Sequence, residues 1–146
     1  MKTNTITPDS CLQRLRALCA KGEHCEHELR EKMMRWEISP EKADEIIEKL
    51  RADSFIDDER FARAYALDKL RYNQWGREKI RFMLRGMHIP SAAIEYGLGE
   101  IEEDEYEEIK RKLIEKKERE IKDTNPYVRR AKLQRFLYSR GFYIDD

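Results

Sequence analysis

An apolar triplet spaced i, i+4, i+9 occurs three times in this chain, at Leu29/Met33/Ile38, Ile80/Leu84/Ile89 and Leu133/Leu137/Phe142. Residues four apart lie on one helix face, so the first two members stack on a helix and the third seals the turn after it. The copies stand 51 and 53 residues apart. A long helix precedes the triplet in all three copies, and a capped helix follows it in the first two. The pattern implies three tandem units of three helices, each too small to bury its own core, stacked into an elongated, right-handed-type helical array.

Local punctuation agrees with that reading. Thr7-Pro8, Ser39-Pro40 and Asn125-Pro126 each put a side-chain oxygen at a helix N-cap and a proline at the first helical position, where its missing N–H costs nothing. Ile89-Pro90-Ser91 is read as a variant of the same start, and Asp57 or Asp58 as another cap. Helices are expected near 9–20, 24–36, 40–52, 58–72, 76–86, 91–99, 102–122 and 126–140. The corresponding division is a tail at 1–8, repeat 1 at 9–56, repeat 2 at 57–100 and an incomplete repeat 3 at 101–146, which stops before its last helix. The apolar face of Leu133, Leu137, Phe142 and Tyr143 is therefore expected to lie partly open, making this the least stable part of the chain.

Composition supports an all-α fold. Charged residues make up 41% and Val128 is the only valine, so the side chains that favour strands are scarce. No window approaches the ~18 apolar residues of a membrane span, and the start MKTNTITPDS has no apolar signal core. A cytoplasmic protein without a membrane partner is expected. No oligomeric seam is evident, so a monomer is expected too.

Thirty basic and thirty acidic side chains cancel over the chain, but unevenly. Arg60 to Arg85 holds eight bases against Asp68 and Glu78, Lys110 to Arg140 holds twelve bases against four acids, and Glu100 to Glu108 holds seven acids and no base. The basic stretches supply the candidate contacts to phosphate: Arg71, Arg77, Lys79, Arg81 and Arg85 in the second unit, and Arg129, Arg130, Lys132, Arg135 and Arg140 in the third. Arg77, Arg81 and Arg85 form one i, i+4, i+8 row whose guanidiniums can point the same way. Tyr72 and Trp75 beside it could stack on a base or a partner, with Trp75 equally suited to packing at its turn. The stretch Lys110 to Lys122 reads either as a solvated helix or as a face toward phosphates or an acidic partner. Nothing resembles a recognition helix, so any DNA contact should be through the backbone and indifferent to sequence.

Catalytic and metal chemistry is not indicated. Cys11, Cys19, His24, Cys25 and His27 lack a C-x2-C pair, and the adjacent His24 and Cys25 point about 100° apart on a helix. Small apolar fillers are the expected role of the thiols, with no metal and no other cofactor. Asp57 and Asp58 are accounted for by a cap and the helix dipole. There is no glycine-rich phosphate loop, G-x-S-x-G or H-E-x-x-H, so no enzyme is expected.

The run from Leu50 to Ala62 (LRADSFIDDERFA), with Tyr65, the Gly76 turn and the Ile80/Leu84/Ile89 triplet, resembles the RecX family of bacterial recombinase regulators. Arg135 to Phe142 (RFLYSRGF) resembles that family's third-repeat turn. The likeness runs from about Cys11 to the end. Where the family usually carries a basic residue and glycine before the second-repeat isoleucine, Met87-His88 stands here. The resemblance implies an all-α repeat protein that binds the RecA filament, recombinase plus single-stranded DNA, and inhibits its ATPase, recombination and strand exchange. DNA repair and the SOS response would be modulated in consequence, with weak direct DNA binding as an accompaniment. A helical-repeat adaptor for another protein, or a sequence-independent DNA-binding protein, are the alternatives.

Overall fold

The computed structural model describes residues 6–143; the outer parts of the tail and of repeat 3, residues 1–5 and 144–146, lie outside the described residues. The described residues form eight α-helices and no strand: α1 Pro8–Lys21, α2 Glu26–Arg35, α3 Pro40–Ala52, α4 Asp58–Asn73, α5 Arg77–Gly86, α6 Ser91–Gly99, α7 Glu103–Glu120 and α8 Pro126–Arg140. Their starts follow the chemistry of the caps. The side chains of Thr7, Ser39, Asp57 and Asn125 accept backbone N–H bonds from the first turns of α1, α3, α4 and α8. At α6 the reading differs: Pro90 is itself the N-cap and no side chain caps the helix.

The repeat is most literal at the turns. The residue before the third apolar position is left-handed in each copy, with φ of 59° at Glu37, 60° at His88 and 90° at Gly141. The amide that follows donates to the carbonyl five residues back: Ile38 to Met33 at 2.9 Å, Ile89 to Leu84 at 3.2 Å and Phe142 to Leu137 at 2.9 Å. His88 thus adopts the backbone conformation that glycine enters at least cost, and the departure at Met87-His88 leaves the turn intact.

Two cores result. Cys11, Leu15, Leu29, Met33, Ile46 and Leu50 lead a cluster confined to repeat 1, from Cys11 to Ile56. A second, larger cluster runs from Phe61 to Phe142 through α4 to α8, and includes Cys25. In it Gly97 lets α6 lie directly on α4, since a Cβ there would sit 2.6 Å from the Ala62 carbonyl carbon.

Of the face of repeat 3 expected to lie partly open, Leu133, Leu137 and Phe142 are covered and Tyr143 is half-exposed. Leu137 and Phe142 are 0% and 1% exposed, because the end of α8 docks onto the start of α5. Gly76, the N-cap of α5, has no side chain to cap with, and repeat 3 supplies the acceptors. The Gly76 amide donates to the Arg140 carbonyl at 2.6 Å, the Glu78 amide to the Gly141 carbonyl at 3.2 Å, and the Arg77 amide to the Tyr106 hydroxyl at 3.1 Å. The C-terminal carbonyls of one helix satisfy the orphan amides of another, with the two dipoles head to tail. A methyl group at Gly76 would overlap the Gly141 carbonyl, so only glycine permits this approach.

Candidate nucleic-acid interface

The structure gives most of the candidate bases an intramolecular task. Arg71 holds Glu105 of α7 with two bonds of 2.7 and 3.0 Å. Arg77 reaches Glu103 at 2.5 Å while its guanidinium lies 3.8 Å from the centre of the Tyr106 ring. Arg81 holds Glu95 of α6 with bonds of 2.8 and 3.0 Å and also pairs with Glu78. The i, i+4, i+8 row therefore does not act as one set of free cations: Arg77 turns to α7, Arg81 to α6, and only Arg85 is left. The acidic block from Glu100 to Glu108 supplies the counter-charge for Arg71 and Arg77; Glu100 also pairs with Arg63 at 3.4 Å.

These pairings shift the protonation equilibria. The hydrogen bond from Arg71 holds the Glu105 carboxyl below its ordinary range, and that from Arg81 does the same to Glu95. Reciprocally, the Glu105 and Glu95 carboxylates hold the Arg71 and Arg81 guanidiniums above theirs. Each pair is partly exposed and adds little to stability, but each also removes one net positive charge from the face offered to a polyanion.

In repeat 3, Arg129 caps the C-terminal end of α7, donating to the carbonyls of Glu118, Ile121 and Asp123 at 2.9, 2.8 and 2.7 Å. Lys132 pairs with Asp123 and holds that carboxyl below its ordinary range. Arg140 donates to the Asn73 carbonyl at 3.3 Å and lies 5.1 Å from the centre of the Phe136 ring. Lys79 donates to the Ser139 carbonyl at 3.4 Å, with its ammonium 4.6 Å from the centre of the Trp75 ring. Trp75 is half-buried, with the ammonium of Lys69 5.1 Å from the same ring, so it packs at the turn as one of its two sequence readings has it. Lys110 is 3% exposed and cannot face phosphate with the rest of α7. Arg130 is exposed on α8. The side chains of Arg85 and Arg135 are exposed and, among the described residues, make no hydrogen bond or ion pair.

Sequence reasoning missed the aromatics. Phe82 is 72% and Tyr138 71% exposed, and together with half-exposed Tyr143 they border a groove between α5 and α8. The signal was available: Phe82 falls two residues after Ile80 and two before Leu84, about 200° around the helix from each, so it cannot join them in the core. The thiols, by contrast, behave as fillers. Cys11 and Cys25 are buried, desolvation pushing the Cys25 thiol up to about 11, and no group of three or more metal-ligating side chains occurs among the described residues.

Fold and surface together define a class: an elongated tandem array of three-helix units whose charges serve mainly to bind the units to one another. Residues 11–50, 57–98 and 103–146 match, in order, the first, second and third three-helix domains of RecX, and the chain belongs to the RecX family. It is 30% identical over 117 residues to a "Regulatory protein RecX" of Geobacillus kaustophilus, covering 80% of this chain and 44% of that one. A protein of the same name from Cronobacter sakazakii is 28% identical over 145 residues, covering 92% of this chain and 86% of the other. The chain thus spans less than half the length of some relatives and most of others. Among solved structures, one described as "Crystal structure of regulatory protein RecX" superposes with a TM-score of 0.84 at 23% identity, over 94% of this chain and 69% of that one. RecX from Lactobacillus salivarius gives 0.80 at 20% identity, over 94% and 90%. The family's role is regulatory, and among the described residues no helix is long and apolar enough to cross a membrane.

Proposed function

We propose that this chain is a cytoplasmic regulator that docks along the filament a RecA recombinase forms on single-stranded DNA and inhibits its ATP turnover and strand exchange, thereby restraining recombinational repair and the SOS response. The observation that carries this reading is the succession of three RecX three-helix domains over residues 11–146. An elongated array suits a helical groove, because successive units can meet successive protomers. The unpaired Arg85 and Arg135, with exposed Arg130, are the cations best placed to meet phosphate; the other seven candidates act first as internal braces. No chemistry of its own is required: any effect on ATP turnover would be exerted on the partner's site.

The test is co-sedimentation with the recombinase alone, DNA alone and the assembled filament, alongside ATPase and strand-exchange assays. Preferential association with the filament, and a dose-dependent fall in both activities, are expected. Unchanged activities at saturating concentration would remove the proposal.

A further inference from the structure

The geometry points to the groove between α5 and α8 as a stacking site for the bases of a single-stranded nucleic acid. The groove holds about 450 Å3 and is open to solvent along its length. Phe82 stands on its α5 wall, and Tyr138 of α8 and Tyr143 just beyond that helix, ring centres 6.1 Å apart, also line it. Phenylalanine exposed to 72% on a regular helix has a hydration cost that a stacked base would relieve, and every base offers such a face whatever its identity.

Charge chooses the occupant. Arg85 lies in the groove without an ion pair, Lys79 adds an ammonium whose bonds are to a carbonyl and a ring rather than to an acid, and Glu78 is already taken up by Arg81. Arg135 precedes Tyr138 by three residues on α8 and so shares its face. On α5, Arg77 and Arg81 are paired with Glu103 and Glu95, so the α5 cations without a carboxylate partner are Lys79 and Arg85, both in the groove where the rings are exposed. Cations flanking exposed aromatic rings are the arrangement that follows a phosphate backbone while its bases stack, and an acidic peptide would use the cations but leave the three rings unexplained. This inference rests on the function proposed above for the source of the strand, and locates the strand contact at a junction of two repeats rather than along the basic row of α5.

The experiment compares a fluorescein-labelled twelve-nucleotide thymidine strand, an abasic strand of equal length and charge, and the uridine strand, binding each to the full chain by anisotropy. The thymidine strand should bind more tightly than the abasic one. Phe82→Ala and Tyr138→Ala should each lower that affinity on the order of 10-fold and together bring it to the abasic level, with helicity by circular dichroism unchanged because both rings are exposed. Arg85→Ala should reduce the slope of log affinity against log salt by about 0.7. Thymidine bound above uridine identifies DNA as the source, and equal binding identifies a strand site indifferent to the sugar. Equal binding of thymidine and abasic strands, or ring variants that bind like the parent, would overturn the inference. If the ring variants lose filament association yet bind the free strand normally, the groove is a protein contact; the inference falls and the filament reading stands. If strand binding behaves as expected while filament ATPase is untouched, the reverse holds.

Discussion

Repeat 1 and the pair formed by repeats 2 and 3 solve the same problem differently. Repeat 1 closes an apolar core drawn wholly from its own residues, between Cys11 and Ile56. Repeats 2 and 3 share one, in which Tyr106 of α7 lies fully buried with its ring 5.3 Å from that of Phe142. The junction between these two bodies is mostly polar: Arg60 bonds Glu23 at 2.7 Å, Arg51 bonds Asp58 at 3.3 Å, and the rings of His27 and His88 meet edge to face at 5.1 Å. Cys25 is the one buried residue of repeat 1 that enters the other core. Repeat 1 is joined to the rest mainly by charge, whereas α7 and α8 are joined to repeat 2 through a shared apolar core and through the carbonyls that cap α5.

The comparison breaks most visibly at Phe142. Phe142→Ala removes a fully buried ring from the seam of repeats 2 and 3, and a loss of about 3–5 kcal/mol is expected. Amide exchange should quicken from Asp58 to Phe142 as one unit while α1 to α3 keep their protection. If α7 and α8 alone loosened, the shared core would be the wrong description.

Leu50→Ala tests the other body. Leu50 is fully buried in repeat 1, and its truncation should cost about 2–5 kcal/mol, read as early exchange confined to residues 8–56. Simultaneous loss of protection in α4 to α8 would show that the two bodies unfold together.

Arg60→Ala acts on the junction. It removes the Glu23 pair and two bonds to the carbonyls of Ser54 and Phe55, at 2.9 and 3.3 Å. Partly exposed interactions of this kind contribute about 1 kcal/mol, and the pair's share should shrink with added salt. Thermal unfolding of both bodies should be nearly unaltered, whereas small-angle scattering should show a broader spread of relative orientations.

Acidification should give the smallest effect. Burial raises Glu26, but hydrogen bonds from Arg30 and Arg51 outweigh it and hold the carboxyl below its ordinary 4.5; Arg81 and Arg71 depress Glu95 and Glu105 in the same sense. Carboxyls depressed in the folded state contribute stability that is fully present above their unfolded values and is lost as pH falls through the folded ones. The contribution should therefore fade only below about pH 4.5. Glu26 braces α2 against α3 inside repeat 1, and Glu95 and Glu105 brace helices of the α4 to α8 body, so an acid titration followed by amide exchange should show a small, parallel loss of protection in both bodies; a loss confined to one of them would overturn this expectation.

Local chemistry carried the helix pattern. Proline after Ser39 or Asn125, and Asp57 before α4, specify starts through bonds that span three residues, and the i, i+4, i+9 triplet specifies the repeat because helix geometry is the same in every copy. The candidate site was legible only as a supply of charge. Whether Arg71 or Arg81 is free depends on which carboxylate faces it, and Glu105 and Glu95 are 34 and 14 residues away in sequence. The packing of α7 and α8 was likewise decided in three dimensions. A glycine at 76 reads as a turn from sequence, but its role as the seat of the Arg140 and Gly141 carbonyls exists only once α8 has folded back onto α5. Periodicity is a property of neighbours along the chain, whereas neutralisation and burial depend on neighbours in space.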